Sequence, residues 1–355
     1  MKYILGICLF FLIEDGYGQF YDMSHWTAYE SNWNGHRHVS LESFNNDKYG
    51  NCFSVVRERI CLPCYRTSTL KWSGPSGSGS FKFPGNSQPS LKMYGDVFGN
   101  VFALGTFTSA HYPTIFGSYL NTSLGKKALI KIGNPSWALV IDAVSISVSD
   151  SGYCFTINAD TVKLYSPAGV LLWTRAGGGT QVYAFNDLSY LVHDGSTITR
   201  YHSNGSVQWQ ESFADSFQVN SAGQIVVKQA ADVYLLDPSN GQTTGTHAGA
   251  TQGTVFDNEG NGYIYYDSIL VKYDSSGMVW KTHLTGTDFA NVGFDMYNNI
   301  YFANSYVSHT EDNSYNATPY VYLYPRPCIS SRIHLTACGR NIMPPIWEGS
   351  IREPR

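Results

Sequence analysis

The sequence predicts an all-β fold, a ring of small antiparallel sheets, and three observations lead there. Trp137, Trp173 and Trp209 stand 36 residues apart, and Trp280 follows another 71 on, close to two periods. Upstream of each lies Asp or Asn, two residues, usually Gly, and then alternating apolar residues. The apolar runs are four to six residues long and are separated by Gly, Asn, Asp and Ser, the signature of a meander. A fixed period of this length means stacked or radially arranged supersecondary units.

From the N-terminus, residues 1–18 read as a secretory signal peptide. Lys2 supplies the charge, 4–13 the short apolar run, and Gly16 and Gly18 the small residues of a cleavage site, so that the mature chain begins at Gln19. No later stretch approaches the ~20 apolar residues of a membrane span. The expected location is secreted and extracellular.

Seven units follow, starting at 47, 96, 149, 186, 220, 257 and 295. The first opens at Asp47-Lys-Tyr-Gly50 and is expected to close at Trp72; the second opens at Asp96-Val-Phe-Gly99 and closes at Trp137. These two are stretched by inserted loops. The third has strands at 153–157, 161–165 and 170–174; the fourth has them at 190–193, 198–201 and 207–209, with an Asp194-Gly195 hairpin. The fifth carries 225–227 and 233–236 and has Gly245 where a tryptophan would stand. The sixth is the clearest, with 263–266, 269–273 and 278–283, and the seventh runs from Asp295 to Tyr324. One such sheet leaves its faces wet. A ring buries each against a neighbour and leaves short edges. Trp33-Asn-Gly35 looks like the end of a unit without its beginning, so residues 30–34 are expected to add the outermost strand of the last blade.

The run from Asp96 to Gly105, with Ile115-Phe-Gly117, Leu124-Gly125, Ile130-Lys-Ile132 and Trp137, resembles the β-propeller repeat of the SBBP type. The tighter later units are similar to quinoprotein-like and NHL propeller repeats. The resemblance covers about 39–324 and implies a β-propeller, here of seven blades of four antiparallel strands, closed by an N-terminal strand. The expected domains are a signal peptide at 1–18, a propeller at 19–324, and a Pro/Arg-rich tail at 325–355 with Cys328 and Cys338. Quinone-dependent relatives carry an adjacent cysteine pair, which this chain lacks, so no cofactor is expected.

Six cysteines remain after the signal: Cys52, Cys61, Cys64, Cys154, Cys328 and Cys338. An even number in an exported chain favours disulfides, with pairing left open. Asn121, Asn204 and Asn316 head N-x-S/T sequons and are expected glycosylation sites of a glycoprotein. A net charge of −4 with 14% charged residues offers no field for nucleic acid.

The candidate chemistry is thin. Cys61-Leu-Pro-Cys64 lacks both the helix of a redox motif and a second pair for zinc, and structural disulfides explain it better. His36-Arg-His38 supplies too few ligands for a metal. Asp257-Asn-Glu-Gly-Asn261 is too short for a calcium loop and is accounted for as a turn. Ser76-Gly-Ser-Gly-Ser80 lacks the ending of a phosphate loop and reads as a flexible inter-blade loop, as does Gly177-Gly-Gly179. No catalytic, cofactor or metal residue is assigned. The sequence therefore points to a secreted, non-enzymatic scaffold binding an extracellular protein or glycan, including an extracellular or biomineral matrix component. The alternatives are a hydrolase or lyase at the propeller mouth, for which Asp142, His193, Asp215, His247, Asp288 and His309 would have to converge, and a lectin-like glycan binder.

Overall fold

The computed structural model describes residues 36–324, except 62–64, 75, 85–88, 108–113, 123–125, 213–215, 221–222, 230–231, 249–254, 267–268, 275–276, 284–288, 299, 305–306, 310–314 and 318–319. The leader, the expected closing strand at 30–34 and the tail at 325–355 lie outside the described residues.

Antiparallel sheets follow one another along the chain. Blade 1 comprises β1 (His36–Asn46), β2 (Cys52–Cys61), β3 (Tyr65–Gly74) and β4 (Gly77–Lys82). In blade 2, β5 (Pro89–Gly95) and β6 (Val101–Phe107) are followed by a small hairpin, β7 (Thr114–Ile115) and β8 (Ser118–Tyr119), before β9 (Lys127–Ile132) and β10 (Trp137–Ile141). Blade 3 holds β11 (Ser145–Val148), β12 (Cys154–Ile157), β13 (Thr161–Tyr165) and β14 (Leu171–Ala176). Blade 4 holds β15 (Gln181–Ala184), β16 (Tyr190–His193), β17 (Thr197–Tyr201) and β18 (Val207–Ser212). Blade 5 holds β19 (Ser216–Val219), β20 (Ile225–Gln229), β21 (Asp232–Leu236) and β22 (Thr243–Ala248). Blade 6 holds β23 (Val255–Phe256), β24 (Gly262–Tyr266), β25 (Ile269–Asp274) and β26 (Gly277–His283). The last sheet has three strands: β27 (Phe289–Phe294), β28 (Ile300–Asn304) and, after a separate hairpin of β29 (Val307–His309) and β30 (Tyr315–Ala317), β31 (Tyr320–Tyr324).

The expectation of seven four-stranded blades is thus corrected. Among the described residues there are six, and the unit at Asp295 makes a three-stranded sheet in which β31 pairs on one side only. Seven similar turns announce seven strand pairs; they do not announce how many strands each sheet completes. Each unit read from the sequence also began one strand late. The innermost strand precedes the turn, and at four residues β11, β15 and β19 are too short to show a period. The fourth turn starts at Phe185 rather than Asn186, since Phe185 N–H donates to Ser189 O at 2.9 Å and Leu188 N–H to Phe185 O at 3.1 Å.

Two further expectations fail in blade 1. Trp72 lies on the third strand, not the outermost, and pairs with Gly79. The Gly-Ser-Gly-Ser stretch is β4 itself rather than a loop. A Cβ at Gly79 would overlap the Trp72 indole, so the ring has taken the space a side chain would need. Gly177-Gly-Gly179 does connect blades 3 and 4, but it is pinned: Gly179 N–H donates to Asn158 O at 2.7 Å, and a Cβ on Gly178 would overlap that carbonyl.

The core lies between sheets. On β6, Val101 and Ala103 pack with Phe53, Val55 and Leu70 of blade 1, whereas Phe102 and Leu104 pack with Ile146, Cys154 and Tyr165 of blade 3. Period-2 alternation therefore buries both faces of one strand against different neighbours. The same division places Phe155 and Val162 against Val182 and Val192, and Leu191 and Trp209 against Phe217 and Ile225. Each buried side chain of this kind contributes roughly 1.5–3 kcal/mol.

Hydrogen bonds cross every junction of the ring. Asn45 Nδ2 donates to Met93 O at 2.6 Å, Val97 N–H to Asp150 O at 3.2 Å and Ala184 N–H to Ser147 Oγ at 2.9 Å. Gln181 Nε2 donates to Phe217 O at 2.8 Å, Asn220 Nδ2 to Asp257 O at 2.9 Å and Asn258 Nδ2 to Asp295 O at 3.0 Å. Asn46 Nδ2 donates to Phe294 O at 3.2 Å and Met296 N–H to Lys48 O at 2.7 Å, joining the first sheet to the last. Sheets arranged in this closed circle define a β-propeller.

Candidate interaction face

One end of the ring, called the lower face below, carries every turn between first and second strands. An aspartate starts most of these turns and is consumed by them. Asp96 Oδ1 accepts from Phe98 N–H at 3.0 Å and Asn100 N–H at 2.9 Å, and Oδ2 accepts from Asn100 Nδ2 at 2.7 Å. Asp257 does the same with Glu259 and Asn261, and it also accepts from Tyr263 OH at 3.1 Å and pairs with Lys272 at 3.4 Å. The fourth position needs a left-handed backbone, which Gly99 (φ 75°) and Gly260 (φ 79°) supply and Leu188 and Asn298 also adopt. Turn geometry thus accounts for the Asp257–Asn261 oxygens.

The two central residues of each fully described turn reach the surface, exposed or half-buried. They are Met296-Tyr297 in the last sheet, Lys48-Tyr49 in blade 1 and Val97-Phe98 in blade 2. Continuing round the ring, they are Asp150-Ser151, Asn186-Asp187 and, in blade 6, Asn258-Glu259. The face therefore divides in two. One arc is apolar and aromatic, with Phe98 70% and Tyr297 66% exposed and Val97 and Met296 beside them. The other arc is polar and acidic.

Lys48 bridges the arcs. Its Nζ sits 2.7 Å from Asp150 Oδ1 and 2.8 Å from Oδ2, reaching from the first blade to the third. Asn186 Nδ2 also donates to Asp150, and Asp150 N–H donates to Asn186 Oδ1 at 3.1 Å. Burial alone would raise the Asp150 carboxyl, but bonds from Lys48, Tyr49 and Asn186 outweigh it and hold the group below the usual carboxylate range. The Tyr49 phenol is pushed up, first by burial and then by its bond to Asp150. Burial, followed by Asp150, pushes the Tyr183 phenol up to about 12. At neutral pH the Asp150 carboxyl is therefore charged and both phenols keep their protons.

The residues proposed for a catalytic mouth do not assemble among the described residues. Asp142 lies between β10 and β11 on the opposite face and accepts from Asn158 Nδ2 at 3.0 Å. His193 is buried at the end of β16, its ring edge-on to Phe217 and near Thr180. Nearby Asp194 caps its hairpin; burial opposes ionisation, but bonds from Thr197 and Ser196 hold its carboxyl at about 2. Asp215 and Asp288 lie outside the described residues, and His247 and His309 are placed only as positions on β22 and β29. Likewise His36 and His38 occupy alternate positions of β1. Among the described residues no three His, Cys, Asp or Glu side chains gather as a metal site.

The disulfide expectation is corrected in part. Cys52 and Cys154 are unpaired and buried, and burial pushes both thiols up. Each opens the second strand of its blade, where Val101 stands in blade 2, so both act as small apolar core residues. Cys61 ends β2; Cys64, Cys328 and Cys338 lie outside the described residues. Asn121 and Asn204 are exposed, and Asn204 Oδ1 accepts from Ser206 N–H and Oγ in the β17–β18 turn. Asn316 is placed on β30.

Sequence reasoning missed the two-sided lower face. Its signal was present in the pairs between Asp and Gly, which change from Lys-Tyr and Val-Phe to Asp-Ser and Asn-Glu. Only the ring order places Met296-Tyr297 and Val97-Phe98 on either side of the Lys48-Tyr49 turn.

No family model matches the chain, and no curated protein matches it. The SBBP and NHL resemblance is accordingly not carried beyond the repeat. Among solved structures, the chain is similar to a protein of unknown function from Bacteroides caccae at 15% identity, covering 56% of this chain and 86% of that one with a TM-score of 0.37. The WD40 beta propeller domain of Doa1 is 10% identical over 82% of this chain and 97% of its own, with a TM-score of 0.46. A chain of the Mitotic Checkpoint Complex is 7% identical over 80% and 86%, also at 0.46. The strand order and the bonded junctions between sheets define the propeller. Among the described residues no helix is long and apolar enough to cross a membrane.

Proposed function

We propose that this chain is an exported, non-enzymatic propeller scaffold that binds an extracellular protein through the apolar arc of its lower face. The observation that carries the reading is the exposure of Phe98, Tyr297, Val97 and Met296 on turns whose aspartates are bonded to the turn backbone. Exposed apolar side chains gathered on one face mark docking surfaces. Aliphatic Val97 and Met296 beside the rings favour a protein over a glycan. The seven-unit repeat supplies the rigid support, and its SBBP-like character belongs to this reading. Residues 1–18 act as the export signal, 19–324 form the propeller, and Asn121, Asn204 and Asn316 accept glycans.

The test immobilises secreted wild-type protein and a Phe98→Asp/Tyr297→Asp variant of equal melting temperature. Both are exposed to extracellular fluid from the native source. A protein retained by the wild type at least tenfold more than by the variant supports the reading; equal retention sinks it. The same preparation should lose mass on N-glycosidase treatment, and an unchanged mass would remove the glycoprotein assignment.

A further inference from the structure

We propose that the apolar arc of the lower face is occupied by the chain's own C-terminal tail, residues 325–355. The inference rests on reading that face as a docking surface and names its occupant in the isolated protein.

The chain leaves the ring at the right place. Tyr324, the last residue of β31, pairs with Ile300, which closely follows the Asp295–Asn298 turn. Paired strands lie about 5 Å apart. The last described strand therefore ends at the lower face, one strand from the turn that exposes Met296 and Tyr297.

The chemistry of the tail matches what it meets. Pro325 and Pro327 follow at once, and Pro344-Pro345 comes later. Proline-rich segments favour an extended, preorganised helix that lies along aromatic surfaces. Ile329, Ile333, Leu335, Ile346 and Trp347 supply apolar side chains for Val97, Phe98 and Tyr297. Charge agrees as well. The tail has five arginines against two glutamates, a formal +3; the whole chain carries −4, so residues 1–324 hold −7. Of the central turn residues only Lys48 is cationic, among those described, and Asp150 already pairs with it. Asp187 adds a carboxylate on the neighbouring arc.

The experiment uses the full chain with p-benzoylphenylalanine replacing Phe98. On illumination at low protein concentration, adducts are expected to peptides from 325–355, with a yield independent of concentration. Adducts to residues 19–35, concentration-dependent adducts to a second copy, or no adduct would each overturn the proposal. A Tyr297→Ser full chain provides the second measurement. Deuterium uptake by 325–355 should rise severalfold while the melting temperature holds; unchanged uptake would also overturn it. If partner retention is lost in the Phe98→Asp/Tyr297→Asp variant while no tail adduct forms, the tail proposal fails and the docking surface stands.

Discussion

Gly195, Gly178 and Gly169 separate two costs that a glycine can hide. Gly195 adopts φ 103° with nothing within 4 Å of a built Cβ, so replacing it meets conformational strain alone. Gly178 has no such dihedral, but a Cβ there would overlap backbone atoms of Asn158, Ala159 and Asp160. Gly169 combines φ 81° with a Trp137 ring carbon 2.8 Å from the Cβ position. That tryptophan is fixed by its own Nε1–H, which donates to Pro167 O at 3.0 Å. Gly195→Ala should cost about 1 kcal/mol. Gly178→Ala and Gly169→Ala should each cost about 2–4 kcal/mol, because backbone or a bonded indole must shift. Urea titration of the three variants checks the order; a Gly195 variant as destabilised as the other two would contradict it.

Asp150 gives a residue-scale pH dependence. Its native carboxyl lies below the ordinary value, so its contribution is complete above the unfolded value of about 3.9 and is lost as pH falls through the lower native value. Asp47 works in the opposite sense: burial, outweighing its turn bonds, raises its carboxyl, so acidification favours the native state there. Because Lys48 and Asp150 are partly exposed, the pair is worth about 1 kcal/mol or less. Asp150→Asn should lessen the loss of stability between pH 5 and pH 2, measured by urea midpoints. A parallel acid limb in wild type and variant would remove the assignment.

At the scale of elements, the outer strands show how one repeat position is filled in different ways. Trp137 pairs with Lys131, Trp173 with Leu164, Trp209 with Arg200 and Trp280 with Lys272. In blade 5 the tryptophan is replaced by Gly245, and Leu235 lies 3.3 Å from its Cβ position. Blades 3, 4 and 5 each present a turn carbonyl to the previous blade. Pro167 O accepts from Trp137 and Lys131, Ser203 O from Arg175, and Pro238 O from Trp209 and Arg200. Either an indole or a cation fulfils the task, because each places an N–H donor on a flat or extended apolar stem. This explains why the period stays near 36 residues while the residue at the position changes.

At the scale of the molecule, the ring is closed at its hub by Asn46 and Met296, yet β31 has one unpaired edge among the described residues. β1 begins at the upper face, opposite Cys61. A strand rising antiparallel along β31 and ending three to six residues before His36 would match the lengths that connect the other blades. The strand expected at 30–34 would leave a single residue before β1, shorter than those connections, and it lies outside the described residues. Deleting 19–35 from the mature chain should lower the melting temperature of the whole ring by several degrees. An unchanged melting temperature would show that another segment, or none, completes the last sheet.

The sequence by itself determined the class of fold, the number and order of repeating turns, and most second and third strands. Those features are local: Asp-x-x-Gly sets a turn by its own carboxylate and dihedral, and alternation over five residues sets a strand. Tertiary structure decided what locality cannot encode. It showed that Cys52 and Cys154 are core residues, that Gly79 belongs to a strand beneath Trp72, and that the last sheet has three described strands. It also brought Met296, Tyr49 and Phe98, up to 247 residues apart in sequence, onto neighbouring turns of one face. The physical reason is that burial and exposure here depend on which sheet stands next to which, and ring closure sets that order between the two ends of the chain.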